Sequence, residues 1–258
     1  MKLRKWVGMG LAALTLTGVG AAQTLTVAAA ADLQAAMPEL VEQYQKASGK
    51  TVQVVYGSSG NFYQQIQNGA PFDVFFSANL DYAKKLEAAG QAEPGSLYRY
   101  ATGKIVLWVP QGSKVDLKDG LRVLESPSVK KIAIANPEHA PYGQAAVAAM
   151  QKAGVYEQVK GKLVLGENIS QAASFAVSGA ADAGIIALSL ALAPTMKDQG
   201  RFAEIPADSY PAIEQACVIV KASTRKAEAA AFLEFVKSTA AGELLRRYGF
   251  GISPTNAK

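Results

Sequence analysis

The chain has 258 residues, half of them apolar, which is enough for a core in one domain or in two modest lobes. The formal net charge is +5, but Lys2, Arg4 and Lys5 lie at the start, and the other 23 basic residues against 21 acidic ones leave +2. This near balance argues against a basic stripe that tracks nucleic acid, so no nucleic-acid partner is expected.

Residues 1–22 have the pattern of a secretory signal peptide. A basic start precedes an apolar run over residues 6–19, and small residues follow. Cleavage after Ala22 would make Gln23 the first residue of the mature protein. A membrane anchor is the alternative, but the run is short for a span and is diluted by threonine and glycine. We therefore predict an exported protein.

The first part of the mature chain alternates short apolar strands with helical patterns. Strands are predicted at residues 25–30, 51–56 and 72–76, and each ends in small or polar residues. Asp32 precedes the first apolar helical spacing and is predicted to be the N-cap of that helix.

The alternation restarts at Lys104. Strands are predicted at residues 104–110, 131–135, 163–165 and 183–187, with helices after the last three. A further apolar strand at 212–221 precedes one long helix over about 225–248. The single cysteine, Cys217, lies in this strand and is predicted to be a buried, inert thiol.

This order predicts an α/β fold with two lobes, each a mainly parallel sheet flanked by helices, and a ligand cleft between them. Residues 23–102 and 217–258 are assigned to lobe I, and residues 103–216 to lobe II. Ligands of open α/β sheets bind at the carboxyl ends of the strands, where helix N-termini of both lobes would meet.

Residues 54–62 are an example of a predicted helix start that could bind an anion. A β-branched run ends in Gly57-Ser58-Ser59-Gly60, and a helix pattern follows. First-turn N–H groups lack acceptors within their helix and, with the helix dipole, favour an anion. Helix starts of this kind recur along the chain: Ala31-Asp32, Ser58-Ser59-Gly60, Ser77-Ala78-Asn79, Tyr142-Gly143 and Asn168-Ile169-Ser170. Each alone is an ordinary cap, but together they favour a small oxyanion held by neutral donors.

Catalytic and metal-binding motifs are not evident. The Ser58-Ser59 turn is one residue short of the Gly-x-Ser-x-Gly nucleophile elbow, and neither a dinucleotide fingerprint nor a Walker loop occurs. One histidine and one cysteine leave little for transition-metal ligation. His139 is predicted to be a loop residue rather than a catalyst. An exported hydrolase that uses Ser59 or a carboxylate is the remote alternative.

Several stretches carry a resemblance to a known family. They are residues 27–33, 56–60, 69–78, 136–143, 167–171, 181–186 and 247–250. In this order they resemble the periplasmic molybdate-binding proteins of ABC importers, which are type II solute-binding proteins. The resemblance covers about residues 24–250.

The resemblance implies a periplasmic, monomeric protein that is not an enzyme and needs no cofactor. It would capture molybdate or tungstate and deliver the anion to an ABC transporter permease at the membrane. A binding protein for phosphate or sulfate is the alternative.

The resemblance also carries the family's anion site onto residues of both predicted lobes: Ala31, Asp32, Ser58, Ser59, Tyr142, Ile169 and Ala187. Ser59 would donate its hydroxyl proton, and Tyr142 and Ile169 their backbone N–H groups. Asp32, Ser59, Tyr142 and Ile169 would meet the metal only through the oxyanion oxygens, without direct ligation.

Two positions depart from the family pattern. Ala187 stands where some members have a tyrosine hydroxyl, so that contact is absent or comes from elsewhere, for instance from Tyr142. Asp32 stands where the family has a serine or asparagine donor, and a carboxylate about 4 Å from a dianion is repelled by several kcal/mol. We expect its carboxylate to cap its own helix while its N–H faces the ligand. The alternative is an acceptor for a protonated oxyanion such as hydrogen phosphate.

Overall fold

The computed structural model describes residues 24–252, so the predicted signal peptide lies outside the described residues. Two five-stranded sheets organise the chain. The first sheet has the order β2-β1-β3-β10-β4, with β1 Leu25–Ala30, β2 Val52–Gly57, β3 Val74–Ser77, β4 Tyr98–Gly103 and β10 Ile213–Ile219. The second has the order β7-β6-β8-β5-β9, with β5 Ile105–Pro110, β6 Ile132–Ala135, β7 Leu163–Gly166, β8 Ala183–Ala187 and β9 Gly200–Glu204.

Helices cover the faces of both sheets. Those of the first lobe are α1 Met37–Ser48, α2 Ser59–Gln67, α3 Leu80–Ala88, α8 Lys226–Val236 and α9 Thr239–Arg247. Those of the second lobe are α4 Pro141–Lys152, α5 Tyr156–Val159, α6 Ile169–Val177 and α7 Leu188–Ala191. Short 3-10 segments occur at Ala31–Gln34, Leu117–Glu125, Lys160–Lys162 and Ala207–Ser209. Within residues 24–252, no helix combines the length and apolar character needed to cross a membrane.

The predicted two-lobed α/β architecture is confirmed. Pairing is parallel across β2-β1-β3 and across β7-β6-β8, which makes the carboxyl ends of these strands share one edge in each sheet. The remaining strands, β10 and β4 in one sheet and β5 and β9 in the other, pair antiparallel. The sheets are therefore mixed.

The lobe boundary differs from the predicted one. The division between residues 216 and 217 falls inside β10, which pairs with β3 and β4 from Ile213 onward. The chain thus crosses between sheets at Lys104, between β4 and β5, and again over residues 205–212, between β9 and β10. A backbone hydrogen bond of 3.2 Å from Ile205 N–H to the Ile105 carbonyl holds the two crossings together.

The predicted C-terminal helix is also divided. It ends at Val236, and α9 begins after Ser238, whose hydroxyl accepts from Ala241 N–H at 3.3 Å. A serine that caps a new helix interrupts the old one because its side chain replaces an intrahelical acceptor.

The central strands are buried on both faces, as their continuous apolar runs predict. Successive residues point to opposite faces, so Phe75 and Phe76 serve different cores. The Phe76 ring packs 5.3 Å from Tyr100 and 6.0 Å from Phe232, whereas the Phe75 ring lies 6.4 Å from Phe62. Packing against the sheet faces holds the helices in place and so fixes the direction of their first turns.

Candidate functional site

A small cavity lies between the lobes, at the carboxyl ends of β1, β2 and β3. The space in it that is open to the centre of a water molecule is about 10 Å³, which leaves no room for a drug-sized organic ligand. Residues from both lobes line it: Ala30, Ala31, Asp32, Gly57, Ser58, Ser59, Ala78, Ala140, Pro141, Tyr142, Asn168 and Ile169. Six of the seven predicted site residues are therefore brought together.

Ala187 is the exception. It is buried between β8 and the start of α7, pairs with Ile105 across the sheet and does not line the cavity. The hydroxyl that Ala187 cannot supply is therefore missing at a position outside the cavity wall.

The Ser58-Ser59 turn forms the first-lobe wall. Ser58 is the N-cap of α2, and its Oγ accepts from Asn61 N–H at 3.3 Å. Ser59 is the first helical residue, and its Oγ accepts from Ala78 N–H at 2.9 Å. A hydroxyl that accepts one hydrogen bond still has its own proton to donate. Ser59 is buried and lines the cavity, so that proton is available to an anion.

Helices α4 and α6 form the second-lobe wall. Tyr142 follows Pro141 in the first turn of α4, and Ile169 is the first residue of α6. The Asn168 side chain caps α6 by accepting from the amides of Ser170 and Gln171, at 3.0 Å each, and not from that of Ile169. The N–H groups of Tyr142 and Ile169 have no acceptor within their helices and lie where both helix dipoles favour negative charge.

The position of Asp32 differs from the sequence prediction that it is the N-cap of its helix. It lies inside the 3-10 segment Ala31–Gln34, whose N-cap is Ala30, and its side chain caps no helix. Its Oδ2 accepts instead from the Tyr142 hydroxyl at 2.9 Å and from Gln215 Nε2 at 2.7 Å. The carboxyl group is fully buried, and a buried charge needs partners that a local cap alone does not supply.

The electrostatics of this group follow from its burial. Burial raises the pKa of the Asp32 carboxyl to about 6, although Gln215, Tyr142 and, more weakly, the backbone N–H groups of Asp32 and Leu33 act to lower it. Burial and the nearby Asp32 charge raise the pKa values of Tyr100 and Tyr142 well above 10, so both phenols stay neutral. Asp32 Oδ1 is buried and has no hydrogen-bond partner.

Hydrogen bonds between the lobes surround the cavity. His139 Nδ1 lies 2.8 Å from Ser58 Oγ, and the His139 carbonyl accepts from Gly60 N–H at 3.0 Å. The Ser189 hydroxyl donates to the Asp32 carbonyl at 2.7 Å. Further side-chain pairs join the lobes at the rim: Asn61 with Glu167 and Gln34 with Ser170. The structure therefore shows the cleft closed.

Sequence reasoning missed Gln215, Ser189 and the role of His139. His139 is a loop residue, as predicted, but it joins the lobes at the cavity wall. Gln215 lies on β10, whose apolar neighbours predict a core position, and a polar residue in such a run was the available signal.

Two further sequence predictions concern thiol and metal chemistry. Cys217 is fully buried as predicted, and burial raises the pKa of its thiol far above the ordinary value. Across residues 24–252, no three His, Cys, Asp or Glu side chains group closely enough to hold a metal ion.

Comparisons with known proteins agree with this geometry. Residues 25–251 match the family model of the bacterial extracellular solute-binding protein. The molybdate-binding protein ModA of Rhodobacter capsulatus is 41% identical over 89% of each chain. The ModA protein of Azotobacter vinelandii is 38% identical over 95% of this chain and 96% of its own.

A solved structure agrees as well. The periplasmic molybdate-binding protein of Azotobacter vinelandii superposes with a TM-score of 0.84 at 36% identity, covering 89% of this chain and 99% of that one. Sequence and fold thus agree over nearly all the described residues. The chain belongs to the bacterial extracellular solute-binding protein family and, within it, to the ModA-type proteins.

Proposed function

We propose that this protein captures molybdate, with tungstate as an equivalent ligand, and delivers it to an ABC transporter permease. The observation that supports the proposal is that Ser59, Tyr142 and Ile169, each in the first turn of a helix, line one small cavity between two lobes. Neutral donors suit an oxyanion that offers only acceptors, because hydrogen bonds to a charged acceptor are the strong kind.

Family membership supports the rest of the proposal. Relatives named as molybdate-binding proteins match nearly the whole chain, so the same cargo is the simplest assignment. We place the protein in the periplasm as a monomer, where closure over the anion would present both lobes to the permease. The protein would perform no chemistry on its cargo.

The Ser58–His139 contact does not favour the hydrolase alternative. A serine nucleophile needs an imidazole that a third group orients. Ser58 Oγ also contacts the His139 carbonyl and caps α2, and none of the carboxylates in the described chain bonds the His139 ring.

A thermal-shift titration with molybdate, tungstate, sulfate and phosphate tests the proposal. A ligand that binds only the folded state stabilises it by RT ln(1 + [L]/Kd), so molybdate and tungstate should raise the melting temperature by several degrees. Ser59→Ala should remove most of that shift. A large shift with phosphate and none with molybdate would contradict the proposal.

Ser238→Ala is the matched control for that variant. Ser238 also stands at a helix start and accepts an amide hydrogen bond, but it is the N-cap of α9 and lies outside the cavity. Loss of this cap should cost about 1 kcal/mol of stability and leave the molybdate shift unchanged.

A further inference from the structure

The two oxygens of the Asp32 carboxyl group have different surroundings. Oδ2 accepts hydrogen bonds from Tyr142 and Gln215, whereas Oδ1 is buried without a partner. Buried polar atoms without partners are rare and usually mark an unfilled contact. Asp32 is among the residues that line the cavity, which makes an oxygen of a bound anion a candidate partner for Oδ1.

The surrounding hydrogen bonds decide where a proton on this group can lie. Gln215 Oε1 accepts from the Tyr100 hydroxyl at 2.6 Å, which directs Gln215 Nε2 at Asp32 and at the Tyr142 oxygen, 3.0 Å away. The Tyr142 hydroxyl therefore donates its own proton in the hydrogen bond to Asp32 Oδ2. Oδ2 is committed as an acceptor, so Oδ1 is the oxygen that can carry a proton without breaking this network.

Within residues 24–252, no Lys, Arg or His side chain pairs with the Asp32 carboxyl. The titratable groups that face it are the neutral phenols of Tyr142 on α4 and Tyr100 on β4. Gln215 on β10 and Ser189 on α7 also pack against it, but neither titrates.

Ionisable side chains on the neighbouring elements have other partners: Glu214 on β10 pairs with Arg99 on β4. His139, before α4, bonds Ser58, and Glu167, before α6, bonds Asn61. On α1, Glu39 pairs with Arg247. An ionised Asp32 would therefore face a bound dianion without a compensating charge.

We propose that one proton enters the site together with the oxyanion and lies between Asp32 Oδ1 and an anion oxygen. This inference rests on the proposed function. The proton comes from solvent and is released when the cleft opens. It converts the repulsion between carboxylate and dianion into a hydrogen bond.

The direction of the pH dependence follows. Opening of the cleft to water removes part of the burial that raises the Asp32 pKa, so the pKa falls towards the ordinary value of about 4. In the closed structure burial raises it to about 6, and a bound dianion raises it further. At pH 6 the open site is ionised and the loaded site is protonated. Affinity should therefore fall by up to about tenfold per pH unit as the pH rises from 5 towards the pKa of the loaded site.

Isothermal titration calorimetry at pH 6, in buffers that differ in ionisation enthalpy, counts the protons taken up with molybdate. The wild-type protein should take up close to one proton per anion. Asp32→Asn places an amide N–H where the Oδ1 proton would be, and its remaining oxygen can still accept from Tyr142 and Gln215. This variant should bind molybdate with no proton uptake and an affinity that does not change between pH 6 and 8.

Asp182→Asn is the matched control. Asp182 Oδ2 also accepts two hydrogen bonds, from the N–H groups of Lys130 and Lys131, but the residue lies outside the cavity. This variant should take up the same proton as the wild-type protein.

Different results separate the two proposals. Molybdate binding by the wild-type protein without proton uptake, or equal uptake by Asp32→Asn, overturns the role of Asp32 and leaves the proposed function standing. Failure of the wild-type protein to bind molybdate overturns the proposed function itself. If Asp32→Asn does not fold, the wild-type pH series still decides, because a constant affinity from pH 6 to 8 contradicts the inference.

Discussion

Tyr142 illustrates how one residue serves the site in two ways. Its backbone N–H lies in the first turn of α4 at the cavity, and its phenol crosses to Asp32 in the other lobe. The phenol oxygen also accepts from Gln215 at 3.0 Å, so this hydroxyl is committed to the network and is not free for an anion. The sequence-based suggestion that it replaces the hydroxyl missing at Ala187 is therefore not supported.

Tyr142→Phe should weaken molybdate binding and leave the backbone donor in place. The loss of a hydrogen bond that forms when the lobes close costs about 1 kcal/mol, which is roughly fivefold in dissociation constant. Calorimetric titration of the variant measures this change. Tyr100→Phe is the control, because the Tyr100 hydroxyl bonds Gln215 within the first lobe. It should lower the melting temperature and affect binding much less; equal affinities of Tyr142→Phe and wild-type protein would argue against closure through this contact.

The residues at helix starts could be predicted from the sequence, but the partners of their side chains could not. First-turn amides lack acceptors in any helix, so the roles proposed for Tyr142 and Ile169 follow from local pattern and the resemblance. The partners of Asp32 lie 110 and 183 residues away along the chain, and no local rule brings them together.

At the scale of elements, the N-terminus of α2 meets the loop before α4 without room for a side chain. A Cβ on Gly60 would lie 2.6 Å from the His139 carbonyl oxygen, closer than real contacts allow. Gly60 is the second residue of α2, and its amide donates to that same carbonyl. The closed cleft therefore depends on glycine at this helix start.

Gly60→Ala should lower the affinity for molybdate at least roughly tenfold, because closure would bring the new methyl group against the His139 backbone. The open protein should lose no stability, since alanine is the better helix former by about 1 kcal/mol. Gly242→Ala provides the comparison: Gly242 lies in α9, where a Cβ would meet only Ile252 Cγ2 at 3.9 Å. Calorimetry and melting curves of both variants check this; normal binding by Gly60→Ala would show that the cleft closes differently in solution.

The elements themselves were largely predictable, because strands buried on both faces read as continuous apolar runs. The strand β10 was predicted as one element, but the predicted lobe boundary between residues 216 and 217 divided it. Pairing with β3 and β4 assigns all of it to the first sheet.

At the scale of the whole molecule, two lobes close on a cavity through hydrogen bonds that surround it. The crossings at Lys104 and over residues 205–212 lie side by side and are the only covalent links between the two sheets within the described residues. Such paired crossings allow hinge closure around a ligand. Ligand binding and lobe closure should therefore be one event.

Anomalous diffraction at the molybdenum absorption edge, from crystals grown with molybdate, tests this account most directly. We expect one strong peak inside the cavity, within hydrogen-bonding reach through its oxygens of Ser59 on one lobe and of the Tyr142 and Ile169 amides on the other. A cavity without a peak, or a peak elsewhere on the protein alone, would contradict it.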